Sequence, residues 1–175
     1  MATYVALLRA VNVGGTGKLP MADLRAMCAD AGFLRVQTYI ASGNVVFDSK
    51  ASPTKVKAGL EARLLAHVGK PVGVIVRTAA QMAAVLRANP FQKTAPNRTV
   101  VIFLDKPPPS DALGHAAGVK DEEMRLGACE IFVHYASGIG KSKLKIPAAR
   151  MGTARNMSTI AKLVEMTSTD KSKNR

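Results

Sequence analysis

VQTYIASGNVVFD, residues 36–48, decides the fold. Two β-rich segments, VQTYIA and VVFD, flank Ser42-Gly43-Asn44. Gly and Asn tolerate the positive φ of a tight turn, so the stretch predicts a hairpin of two antiparallel strands. Upstream, Tyr4 to Val11 is a nearly continuous apolar run suited to a central strand. Between the two, Pro20 fits the first turn of a helix on which Met21, Leu24, Met27, Cys28 and Ala31 recur at helical spacing. Gly32 ends that helix and Phe33 covers its end. Downstream, Ser52-Pro53 opens a second helix with the stripe Val56, Leu60, Leu64 and Val68, closed by Gly69. PVGVIVR is a further strand. The order β-α-β-β-α-β is the ferredoxin-like split unit.

The pattern then begins again. Thr78-Ala-Ala-Gln81 is a capping box that starts a helix carrying Met82, Val85 and Leu86, and Pro90 stops it at Asn89. TVVIFLD is a strongly apolar strand broken by Pro107-Pro108-Pro109, and Ser110 is expected to cap a short helix through Ala117. MRL and CEIFVHY flank Gly127-Ala128 as a second hairpin. Residues 138–152 read as a basic, glycine-containing loop, and Thr153 is expected to cap a last helix bearing Met157, Ile160, Ala161 and Val164. The organisation predicted is a first ferredoxin-like unit plus connecting helix over 1–90, a second over 91–168 with the basic loop and C-terminal helix, and a polar tail over 169–175. The fold class is α+β with mainly antiparallel sheets.

Composition narrows the function classes. Apolar residues make up 47% of 175, so a packed core is expected. Cys28 and Cys129 are too few for a disulfide framework and read as buried free thiols of a reducing cytosol. MATYVALLRAVN has no charged leader, and no window reaches the ~20 apolar residues of a membrane span. A soluble, cytoplasmic chain with no membrane partner is the expectation. The net charge of +13 is uneven: residues 136–175 hold nine Lys and Arg against two Asp and Glu. Such a field attracts polyanions; the plainer reading is a solvated basic surface.

A phosphate loop needs G-x-x-x-x-G-K-[ST] between strand and helix. At Gly17-Lys18, Asn12 stands for the first glycine and Leu19 for the hydroxyl residue. At Gly140-Lys141-Ser142, Tyr135 replaces that glycine. Hairpins also imply antiparallel pairing rather than the parallel sheet of such nucleotide hydrolases. A magnesium-nucleotide hydrolase is set aside. What survives is that Gly14 and Gly15 form either an amide nest for a carboxylate or phosphate, or merely a turn needing positive φ.

In order along the chain, ALLRAVNVGG, the Lys18 to Met21 segment, YIASGNVVF, VIVRTAAQ, ANPF, SKLK and TARN-x-x-T-x-x-KL resemble the domain-of-unknown-function 1697 family. The resemblance spans about residues 3–166. It implies two interwoven ferredoxin-like plaits and supplies no activity. Met157 departs from the pattern, standing where the family usually carries Trp.

The family-like motifs place small polar and basic residues at element ends. Arg9, Asn12, Gly14, Gly15 and Lys18 follow the first strand; Ser42, Gly43 and Asn44 form the hairpin; Lys143, Thr153, Arg155 and Asn156 surround the start of the last helix. A helix N-terminus favours anions and Arg155 offers a bidentate clamp. The leading expectation is a small anionic or phosphorylated ligand bound in a cleft between the two units. The plainer reading is that Thr153 and Asn156 only cap a helix while Arg155 packs its stem. Non-specific nucleic-acid binding through the basic C-terminal third is the runner-up, although the aromatic signature of an RNA-recognition sheet is missing. An enzyme acting on a phosphorylated metabolite stands third. His67, His115 and His134 lack metal-ligand spacing and read as structural. No G-x-S-x-G elbow occurs, and Asp121-Glu122-Glu123 reads as a solvated turn. No cofactor or metal is expected.

Overall fold

A computed structural model of the chain describes residues 1–12 and 18–168. They form two compact units. In the first, β1 (Ala2–Leu8), α1 (Met21–Asp30), β2 (Leu34–Tyr39), β3 (Asn44–Ser49), α2 (Pro53–Val68) and β4 (Val74–Thr78) follow the predicted order. The strands lie as β2-β3-β1-β4 with every neighbouring pair antiparallel, which is the ferredoxin-like sheet.

Period-2 alternation sends Tyr4, Ala6 and Leu8 of β1 to the same face as Val45 and Phe47 of β3. There they meet Leu24 and Cys28 of α1 and Val56, Leu60 and Leu64 of α2. Phe33 stacks on Phe47 with centroids 4.3 Å apart, and its amide donates to the Cys28 carbonyl at 3.1 Å, closing the end of α1. Burying each of these large side chains contributes roughly 1.5–3 kcal/mol. Burial also pushes the Cys28 thiol up to about 12, which leaves it protonated and unreactive at neutral pH. Ser52 caps α2 by accepting from the Lys55 amide, and Gly69 closes it with φ 83°.

The second unit contains β5 (Thr99–Phe103), β6 (Glu123–Leu126), β7 (Glu130–His134) and β8 (Thr153–Asn156). Its strand order, β6-β7-β5-β8, repeats that of the first sheet, again with antiparallel neighbours. The connections differ. Where the first unit has helices, the second has a 3-10 turn at Ala112–His115 and two more at Ile139–Lys141 and Pro147–Ala149. The helix expected from Ser110 through Ala117 is therefore corrected to a single turn. Asp111 caps it without a side-chain hydrogen bond, Gly114 sits inside it, and Ala116 leaves in extended conformation. A core of Leu104, Ile131, Val133 and Ile146 lies under these turns.

Each sheet hands over directly to a helix: α3 (Ala79–Ala88) follows β4 and α4 (Met157–Ser168) follows β8. The division between units falls inside both, since the first unit holds residues 1–83 and resumes at Leu163. The capping box is formed at α3: Thr78 Oγ1 accepts from the Gln81 amide at 3.1 Å and Gln81 Oε1 from the Thr78 amide at 2.8 Å.

Candidate functional site

Six predicted residues stand at one end of the first sheet. The Leu8 amide donates to the Gly43 carbonyl and the Arg9 amide to the Gly73 carbonyl, both at 2.8 Å. The chain then passes through Ala10 and Asn12 with φ of 53° and 56°. Asn12 donates both side-chain hydrogens, to the carbonyls of Leu19 and Ala41 at 2.8 Å each, and accepts from the Leu19 amide at 2.6 Å. Lys18, beside that contact, is exposed. Asn44 is fully buried and donates to the Tyr39 carbonyl at 3.0 Å and to Ser42 Oγ at 2.9 Å. Gly43 has φ 86°, and a Cβ there would lie 2.7 Å from Val11 Cγ2. The structure thus brings Asn12 to the 41–44 turn, and both asparagines direct their donors into neighbouring turns. Gly14 and Gly15 lie outside the described residues.

The second unit holds the other four. Thr153 does not cap a helix: Thr153–Asn156 pairs with β5, from Phe103↔Thr153 to Val100↔Asn156, and α4 begins at Met157. The cap is Asn156, whose Oδ1 accepts from the Thr159 amide at 2.9 Å. Arg155 Nη1 donates to Thr153 Oγ1 at 2.7 Å and to the Ala154 carbonyl at 2.9 Å. Burial pushes its guanidinium down to about 10, which leaves it charged at neutral pH. Met157 is buried at the first position of α4.

A counterpart of Arg155 escaped the sequence reading. Val101 of β5 faces Arg155 in the register, as Val5 of β1 faces Arg77 of β4. Each arginine is 8% exposed and each immediately precedes the residue that caps the following helix. The signal was present as an apolar or small residue, Arg, and then a capping residue in Val76-Arg77-Thr78 and Ala154-Arg155-Asn156. With the repeated strand order, it marks the two units as copies of one plan.

The fourth residue, Lys143, lies on a different feature. Two loops of the second unit, 117–122 and 137–143, border an open surface cavity of about 380 Å³. Lys120, Asp121 and Glu122 line it from one loop and Ser137, Lys141 and Lys143 from the other. Paired backbone hydrogen bonds between Ala117 and Lys145, both 2.8 Å, join the loops. Gly118, with φ 70°, presses against the Lys143 carbonyl. Ser142 Oγ donates to Glu122 Oε1 at 2.6 Å, the Lys120 amide donates to Glu122 Oε2 at 2.7 Å, and Ser137 Oγ donates to Asp121 Oδ2. The Ser142 hydroxyl first, then backbone amides, hold the Glu122 carboxyl below its usual range, so it is ionised at neutral pH. Among the described residues, none of the three lysine ammonium groups has an ion-pair partner. Thr153, Arg155 and Asn156 are not among the lining residues.

The histidines have ordinary partners. His67 Nε2 lies 3.3 Å from Asp23 Oδ2, His115 Nε2 lies 3.1 Å from Asp111 Oδ2, and the His134 ring leans on Phe91. Among the described residues, no group of three His, Cys, Asp or Glu could hold a metal ion, and no helix is long and apolar enough to cross a membrane.

Repeated strand order and paired arginines define a duplicated α+β plait. The chain belongs to the family described as "Protein of unknown function (DUF1697)", whose profile matches residues 1–132. It is similar in structure to the conserved bacterial protein SP0830 from Streptococcus pneumoniae, with a TM-score of 0.79 and 28% sequence identity, covering 95% of this chain and 98% of that one. The comparison with curated proteins finds no match.

Proposed function

We propose that the chain binds a small anionic ligand, a phosphate group foremost, in the lysine-lined cavity of its second unit. One observation carries this reading: Lys120, Lys141 and Lys143 all line a single hollow of about 380 Å³, and among the described residues none of them has an ion-pair partner. An ammonium group donates and cannot accept, so three around one space recruit acceptor-rich anions. At exposed side chains each such contact contributes about 0.2–1 kcal/mol, so the three act together. The formal charge of +13 adds a long-range attraction that raises the local anion concentration.

Calorimetric titration of the full chain with inorganic phosphate tests the reading. Replacing Lys120, Lys141 and Lys143 together by glutamine is expected to weaken binding at least tenfold, about 1.4 kcal/mol, while the unliganded melting temperature stays close to the parent's. Equal phosphate affinity in parent and triple variant would contradict it. The nine-to-two excess of basic residues over 136–175 supports a second reading, non-specific nucleic-acid binding. That reading requires affinity for a single-stranded oligonucleotide that falls steeply between low and moderate salt.

A further inference from the structure

Resting on that reading, we infer that the ligand is a hydroxyl-bearing phosphate ester, its phosphate held by the lysines and a hydroxyl donated to Asp121. The cavity has room, and a mixture of charge, for more than the phosphate alone. Its volume of about 380 Å³ falls within the roughly 300–1,000 Å³ typical of pockets for organic ligands. Two carboxylates share the lining with the three lysines, and they are not equivalent. Glu122 has both oxygens engaged, by Ser142 Oγ and by the Lys120 amide. Asp121 is fixed through Oδ2 by Ser137, and its Oδ1 has no partner among the described residues.

An ionised carboxylate accepts and never donates, so a ligand that fills this space gains most at Asp121 by bringing a donor in place of water. Asp121 would repel a phosphate set directly against it, which places the phosphate on the lysine side. An ammonium donor is disfavoured because Lys120, Lys141 and Lys143 line the same hollow and would repel it. A neutral hydroxyl satisfies Asp121 without that repulsion.

The test compares D-glucose 6-phosphate with methyl phosphate, which carries the same phosphate and no hydroxyl, by calorimetry on the full chain. The parent is expected to bind the sugar phosphate about tenfold more tightly, the ratio set by one hydrogen bond to a charged acceptor. In Asp121→Asn, a change at an exposed position, the ratio is expected to shrink to about threefold or less, with methyl phosphate bound no more weakly than before. Equal affinity of the parent for the two probes would overturn the inference and leave the anion reading standing. So would an unchanged ratio in the variant. Binding of neither probe by the parent would overturn both. The comparison within the parent needs no variant to fold.

Discussion

Asn12→Ala is expected to destabilise the protein by about 2–4 kcal/mol, in a chain whose total stability is of the order of 5–15 kcal/mol. Three hydrogen bonds meet on this side chain, two donated to the Leu19 and Ala41 carbonyls and one accepted from the Leu19 amide. Leu19 is only 2% exposed, so its amide would lose its partner in a place water reaches poorly. A buried group left unsatisfied costs about 1–3 kcal/mol. The backbone adds to this: at φ 56° Asn12 occupies the left-handed region, where alanine costs roughly 1–2 kcal/mol. Asn12→Gly removes the second cost and keeps the first, and is expected to fall between parent and alanine variant. Urea denaturation of the three proteins measures the ladder. A loss below about 1 kcal/mol for alanine would mean that the side chain does not tie the strand end to the hairpin.

Gly118→Ala is expected to cost at least about 3 kcal/mol and to remove phosphate binding at the same time. A Cβ at Gly118 would stand 2.2 Å from the Lys143 carbonyl oxygen and 2.8 Å from its carbon. Both are backbone atoms, so no side-chain rotation relieves the clash. The φ of 70° is strained for any L residue. Relief requires the two loops to part, which breaks the paired Ala117–Lys145 hydrogen bonds and moves Lys143 away from Lys120. Gly140→Ala is the control from the same loop, because a Cβ there meets nothing within 4 Å and its φ is not positive. Thermal melting with and without inorganic phosphate reads both effects. If Gly118→Ala melts and binds like Gly140→Ala, the loops are not joined as described.

Local chemistry made the first unit legible. Gly43 and Asn44 announced the 36–48 hairpin, the 56-60-64 spacing announced the buried stripe of α2, and Thr78 with Gln81 announced the start of α3. Thr153 was misread because Thr is a good capping residue, whereas its actual role follows from pairing with Phe103, fifty residues earlier in the chain. A four-residue strand of sequence TARN has no apolar alternation to advertise it. The bonds of Asn12 to the Leu19 and Ala41 carbonyls depend on where residues 19 and 41 return in space, which no local pattern states. Asp121 and Glu123 are exposed, as a solvated turn requires, while Asp121 and Glu122 also hold partners. Their partners, Ser137 and Ser142, come from a loop that reaches them only because Gly118 admits the Lys143 carbonyl. Of the predicted binding residues, Lys143 alone lines this cavity; Lys141 comes from the Gly140-Lys141-Ser142 partial match set aside above, and Lys120 from a stretch with no motif.

Residue-resolved NMR of the uniformly ¹⁵N-labelled chain, titrated with inorganic phosphate at constant ionic strength, locates the bound anion residue by residue. Saturable amide shifts are expected to concentrate at Lys120–Glu122 and at Gly138–Lys143, the two loops around the cavity. Saturable shifts confined to the end of the first sheet, at residues 9–12 and 42–44, or no saturable shifts anywhere, would contradict binding there.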